Sequence, residues 1–132
     1  MTPTIALLGD VMLGRAVAER LTEVPPEEVW GPEVRELCRS CDLVICNLEC
    51  CISVRGEPTE RIRQKPFFFR GPPQAVRSLA AIGVGAVGLA NNHALDYEVE
   101  ALVETLELLG EAGIAVAEAR RGVIVEAANS RG

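Results

Sequence analysis

The chain opens on a short apolar run, Ile5-Ala-Leu-Leu8, stopped by Gly9-Asp10. Such a run bounded by a turn residue predicts a buried strand, and here its carboxyl end delivers a carboxylate. Helical spacing follows from Leu13 to Leu21 and ends before Pro25-Pro26. Pro32 in a first turn, with Val34, Leu37 and Cys38 on one face, predicts a second helix over 32–39. Asp42-Leu-Val-Ile-Cys-Asn-Leu-Glu49 reads as the next strand, and it too ends in a carboxylate.

Residues 52–66 have little periodicity and contain Gly56, Pro58 and Pro66, which predicts a long loop or hairpin excursion of the kind that often carries function. Phe67-Phe-Phe69 is a candidate short strand. A helix is expected over 73–82 with Val76, Leu79 and Ala80 inward, followed by a buried strand, Gly85 to Ala90, that runs into Asn91-Asn92-His93. The clearest helix is Glu98 to Glu111, with Leu102, Thr105, Leu106 and Leu109 at spacings of 3, 4 and 7 and Gly113 as a stop. Ile114 to Ala117 and Val123 to Val125 read as two more short strands, and there is no internal repeat.

Strand and helix alternate throughout, so the expected fold class is α/β, with a mainly parallel sheet. In such sheets ligands gather beyond the carboxyl ends of the strands. Three successive strands end in Asp10, in Asn47 to Glu49, and in Asn91 to His93, which brings those polar groups to one edge. Taken singly, each has a plainer reading: Asp10 as a turn or cap, His93 as a loop histidine, Arg15 as an exposed helix-face arginine.

Composition sharpens this picture. At 132 residues and 48% apolar content, the chain has enough material for one ordinary core. A net charge of −6 argues against an electrostatic grip on nucleic acid or an anionic membrane. There are sixteen Glu but only three Asp (Asp10, Asp42, Asp96) and one His, so the places where Asp and His fall are informative. No signal peptide is read at the start. The longest uncharged stretch, Ser78 to Leu95, contains Asn91, Asn92 and His93 and is not read as a membrane span. With five cysteines and no export signal, reduced thiols and a cytoplasmic location are expected.

Asp10, Glu49, Asn92 and His93 offer two carboxylates, an amide oxygen and an imidazole, a set suited to Mn²⁺ or Mg²⁺ and, through the imidazole, to Fe or Zn. Arg15 is spaced to reach the same edge and hold a phosphate or carboxylate. Two other patterns carry less. Gly83-Val-Gly85-Ala-Val-Gly88 matches a dinucleotide fingerprint, but a helix precedes it and a strand follows, the reverse of what pyrophosphate binding needs. The five cysteines crowd into residues 38–51, yet a strand between Cys41 and Cys50 would hold them about 30 Å apart. They read as small buried hydrophobes.

Three strings taken together, Gly9-Asp-Val-Met-Leu-Gly-Arg15, Asp42-Leu-Val-Ile-Cys-Asn-Leu-Glu49 and Leu89-Ala-Asn-Asn-His-Ala-Leu-Asp96, resemble the CapA family of poly-γ-glutamate capsule synthesis proteins, within the calcineurin-like metallophosphatase superfamily. The resemblance covers residues 4–118. It implies the amino-terminal half of a sandwich of two sheets flanked by helices, a divalent metal site, and hydrolysis of a phosphoester or action on a polyglutamate-related substrate. It also implies roles: Asp10, Glu49 and Asn92 as metal ligands, His93 as the group that orients or protonates the phosphoester, and Arg15, Asn47 and Asp96 around the substrate or behind these ligands. Met12 departs from the superfamily, which has a His there, and no His follows His93. The expectation is therefore a single, incomplete CapA-like domain over 1–132, cut short after about 118, with a weakly held metal and with Ile5, Leu7, Val44, Val87 and Leu89 short of cover and prone to self-association. The alternative is a non-catalytic partial fold or interaction module.

Overall fold

In the computed structural model, which describes residues 2–117, four parallel strands form the main sheet: β1 (Ile5–Val11), β2 (Leu43–Leu48), β5 (Val84–Gly88) and β6 (Ala115–Ala117), in that spatial order. Between them run α1 (Arg15–Arg20), a 3-10 turn at Pro26–Val29, α2 (Pro32–Arg39), α3 (Ala75–Ala81) and α4 (Glu98–Glu111). Two short strands, β3 (Cys51–Ile52) and β4 (Arg70–Gly71), pair in parallel as a second small sheet. The α/β class with a parallel sheet is as the sequence implies.

Spatial order in the main sheet follows chain order. Right-handed crossovers that always step the same way leave all the connecting helices on one face. Along β2 the consequence is plain: Val44, Cys46 and Leu48 are buried, while Leu43, Ile45 and Asn47 between them are half-exposed. The buried set joins Cys38 of α2, Leu79 of α3 and Leu109 of α4 in one core. On the other face, Ile5 and Leu7 are 53% and 76% exposed, and Leu43, Ile45, Ala86 and Ala117 line a shallow depression of about 430 Å³. Ile5 and Leu7 thus lack cover as anticipated. Val44, Val87 and Leu89 do not, because they point into the helical side, at 1%, 0% and 6% exposure.

One irregularity positions chemistry. Leu7 pairs with Ile45 and Asp10 with Asn47, so β1 carries one residue more than β2 between those pairs. Without that bulge Asp10 would share the phase of Ala6, on the helical side. With it, Asp10 sits beside Asn47 on the open side. Gly9, at φ +69°, takes the left-handed backbone the bulge uses.

Other expectations need correction. Phe67–Phe69 is not a strand: the Phe69 N–H is taken by the Asp96 side chain, and pairing begins only at Arg70. The first helix is shorter than its spacing suggests, Arg15–Arg20. On α2 only Cys38 turns inward, Val34 and Leu37 being 41% and 66% exposed. Ala80 of α3 is also exposed. Spacing says that residues share a helix face, and packing decides whether that face is covered. The strand expected at Val123 to Val125 lies outside the described residues.

Candidate metal and phosphoester site

Beyond the carboxyl ends of β1, β2 and β5, side chains from three strand ends meet in a relay. Asn47 Nδ2 donates to Asp10 Oδ1 at 2.9 Å. Asn91 Nδ2 then donates to Asn47 Oδ1 at 3.1 Å and to the Leu48 carbonyl at 2.9 Å. Asn91 Oδ1 in turn accepts the His93 backbone N–H at 3.0 Å. The amide that joins the relay is Asn91. Asn92 is exposed, its carbonyl accepts a bond from Lys65, and together with Asn91 it lines an apolar cavity of about 550 Å³ formed by Leu89, Leu95, Leu102 and Leu106.

Glu49 follows β2, and its N–H donates to the Val11 carbonyl at 2.9 Å. This places it against Asp10. Partial burial, then the hydrogen bond with the Asp10 carboxyl and its charge, raise the Glu49 pKa from its ordinary value, while the nearby His93 ring acts in the opposite sense. A carboxylate whose proton affinity is raised by burial and by a neighbouring carboxylate marks a place where a cation or a proton relieves repulsion. The donor set fits a hard divalent ion in kind but not in number, since among the described residues no three His, Cys, Asp or Glu side chains group as a metal site.

The imidazole half is built differently. His93 Nδ1 lies 2.7 Å from Asp96 Oδ2, and the same oxygen accepts the Phe69 N–H at 2.6 Å. Asp96 is fully buried. Its Oδ1 accepts no well-aligned hydrogen bond, and its charge is met by the Lys65 ammonium at 3.0 Å. Lys65 also donates to the Asn92 carbonyl at 2.9 Å. The Phe69 ring stacks on the imidazole at 4.1 Å between centroids. Lys65 and Phe69 both come from the stretch between β3 and β4. That stretch is fastened at its base by the buried Glu104 of α4, whose carboxylate accepts from the Ser53 hydroxyl and from the Val54 and Arg55 N–H groups. These bonds, Ser53 first, lower the Glu104 pKa.

Arg15 is exposed, with its guanidinium 5.7 Å from the centre of the Phe67 ring, and no carboxylate among the described residues pairs with it. Met12 Sδ accepts the Gly14 N–H at 3.0 Å. The cysteines are free and, apart from Cys41, buried; burial pushes Cys46 and Cys51 up to about 12 and Cys50 to about 11, so these three are inert as thiolates at neutral pH. Sequence reasoning passed over Lys65 and Phe69. A signal for Lys65 existed: it is the only lysine of the sequence, and its ammonium meets the carboxylate that holds the only histidine.

A parallel α/β layer with an acidic pair and an imidazole at its strand ends is the class of protein this geometry defines. The chain belongs to the family of bacterial capsule synthesis proteins PGA_cap, whose pattern matches residues 4–123. It is 32% identical to the probable polyglutamine synthesis accessory protein of Mycobacterium tuberculosis over 84% of this chain and 37% of that protein. It is also similar to the capsule biosynthesis protein CapA of Bacillus anthracis, 24% identical over 84% of this chain and 27% of that one. With the PGA biosynthesis protein CapA of Bacillus subtilis the identity is 25% over 94% of this chain and 34% of the relative. The chain thus spans about a third of the length of these relatives. Among the described residues no helix is long and apolar enough to cross a membrane.

Proposed function

We propose that this chain supplies the acidic pair and the imidazole of a metal-dependent phosphoester-cleaving site, in a protein that serves capsule or poly-γ-glutamate production. The observation that carries the reading is the convergence of strand ends: the Glu49 N–H donates to the Val11 carbonyl next to Asp10, and Asn47 and Asn91 link Asp10 to the His93 N–H. Asp10 and Glu49 would hold a divalent ion (Mn, Fe, Mg or Zn), and Asn92 would add its amide oxygen. When bound, such a cation supplies positive charge for the phosphoryl oxygens and acidifies water. His93, turned by Asp96, holds the phosphoester or passes a proton to the leaving oxygen. Arg15 steadies an anionic group of the substrate, and Asn47 keeps Asp10 in place.

The test is paramagnetic broadening by Mn²⁺ in the nuclear magnetic resonance spectrum of the chain. Signals of Asp10, Glu49, Asn92 and His93 should broaden first, and Glu49→Ala should abolish this. Broadening centred elsewhere would overturn the assignment. Because the donor set is short, the chain alone is expected to hydrolyse an aryl phosphodiester no faster than its Asp10→Asn, His93→Ala double variant. Metal-dependent turnover lost in that variant would make it a complete phosphoesterase.

A second reading, a non-catalytic interaction module, is favoured by the open sheet face with Ile5 and Leu7 exposed. It predicts concentration-dependent self-association, read by sedimentation and reduced in Leu7→Ser, together with no site-specific effect of Mn²⁺.

A further inference from the structure

Most of the molecule's unassigned features do not reach a ligand: the thiols are buried, the glycine string is a helix-to-strand turn, and the apolar cavity beside Asn92 has nothing on it to name an occupant. The stretch between β3 and β4 is different, because it reaches into the site. We propose that Lys65 and Phe69 are positioning residues for His93, so that the 53–69 excursion is a structural part of the site rather than a surface loop beside it. This rests on the reading of His93 as a working group of the site.

The argument is one of convergence on a single carboxylate. Asp96 is fully buried, and among the described residues its two oxygens meet the His93 ring and the Phe69 N–H at Oδ2 and the Lys65 ammonium at Oδ1. Two of those three come from the excursion. A carboxylate that accepts from Nδ1 fixes the imidazole in the Nδ1–H tautomer and leaves Nε2 with the lone pair. Held only by His93, a buried carboxylate would have one bonded neighbour and no counter-charge; the Phe69 N–H sets the direction of Oδ2, and Lys65 supplies the charge.

The excursion also grips the turn that carries the histidine. Lys65 donates to the Asn92 carbonyl, and the Thr59 N–H donates to the Asp96 carbonyl at 2.8 Å, so the backbone on either side of His93 is tied to it. The Phe69 ring, stacked on the imidazole at an interplanar angle of 26°, closes one face of it. Rotation of the ring about its own bond then meets Phe69 on one side and breaks the Asp96 bond on the other. Sequence offered no periodic pattern here, because the contacts are made by single side chains of an irregular segment.

The single histidine makes the test unambiguous. Long-range ¹⁵N–¹H correlation at about pH 9, above the ordinary imidazole range, reads which ring nitrogen carries the proton. The expected result for the unaltered chain is one tautomer, protonated at Nδ1. In Lys65→Met the single-tautomer signature should be lost, with Nε2–H appearing. In Phe69→Leu, which retains the amide donor, the Nδ1–H tautomer should persist while the ring signals shift and gain mobility. An unaltered chain protonated at Nε2 would overturn the proposal whatever the variants do, and so would a folded Lys65→Met variant whose ring signals match the parent's. Should Lys65→Met fail to fold, the parent tautomer and Phe69→Leu decide. No metal and no turnover enter these readouts. Absence of Mn²⁺ binding would therefore count against the proposed function while leaving the positioning role to stand or fall by the tautomer.

Discussion

The two halves of the site are held in opposite ways. Asp10 and Glu49 stand at the open mouth of the sheet, exposed and half-exposed, with Asn47 bridging to Asp10 and with burial and then Asp10 raising the Glu49 pKa. His93 and Asp96 are buried, with the carboxylate surrounded by an ammonium, a backbone donor and a stacked ring. One half leaves its carboxylates facing solvent; the other is finished by its own chain. Preorganisation in a buried network is bought with stability wherever one partner is removed.

The largest effect should come from breaking the finished half. Asp96→Ala removes the buried anion, leaving Lys65 uncompensated and the Phe69 N–H without its acceptor. Loss of one partner of a buried pair costs about 3–5 kcal/mol, to be read as a lower midpoint in urea unfolding. A cost under about 1 kcal/mol, the range of exposed pairs, would mean that the pair is solvated in solution.

Next comes Gly56, at the base of the excursion. It has φ +77°, and a Cβ there would lie 2.0 Å from the Tyr97 carbonyl oxygen. Gly56→Ala should cost about 1–3 kcal/mol through strain and displacement of the segment, with the amide signals of Lys65 and Phe69 moving and those of Asp10 and Asn47 still. Equal movement in both halves would erase the distinction drawn between them.

That distinction was only half visible in the sequence. Strand runs and the polar groups at their ends pointed to Asp10, Asn47, Glu49 and His93, because period and position alone place a strand's carboxyl end. The bulge that turns Asp10 to the open side was not legible, since a glycine before a carboxylate is equally a plain turn. Asp96 was reached through a family string. Lys65 and Phe69 were not reached at all: burial of a lysine depends on a carboxylate 31 positions away, information that no local window holds. Val34 and Leu37 fail for a related reason, because helical spacing cannot say that no partner covers them.

The open half should respond to metal where the closed half does not. With two carboxylates and one amide against about six donor positions, Mn²⁺ should bind more weakly than micromolar. At about tenfold excess over its dissociation constant it should add about 1.4 kcal/mol to stability, measured as a raised Tm that Glu49→Ala abolishes. Submicromolar affinity, lost in that variant, would show more ligands than the described residues provide.

The smallest effect separates the halves by sign. Glu49 has a folded-state pKa above its ordinary value, so its contribution to stability is fully present below its unfolded pKa and is lost as pH rises through the folded one. Glu104, which fastens the excursion, is lowered, so its contribution is present above its unfolded pKa and is lost as pH falls through the folded value. Across the carboxylate range the two oppose one another. Asp10→Asn leaves the burial that chiefly raises Glu49 but removes the charge that adds to it, and at neutral pH it should change stability by no more than about 0.5 kcal/mol, as exposed substitutions do. Its signature is in the pH profile. The fall in stability with rising pH should flatten, while the acid-side loss set by Glu104 stays. If instead Asp10→Asn leaves the profile as it was, Asp10 and Glu49 do not interact in solution, and the case for a cation between them goes with that contact.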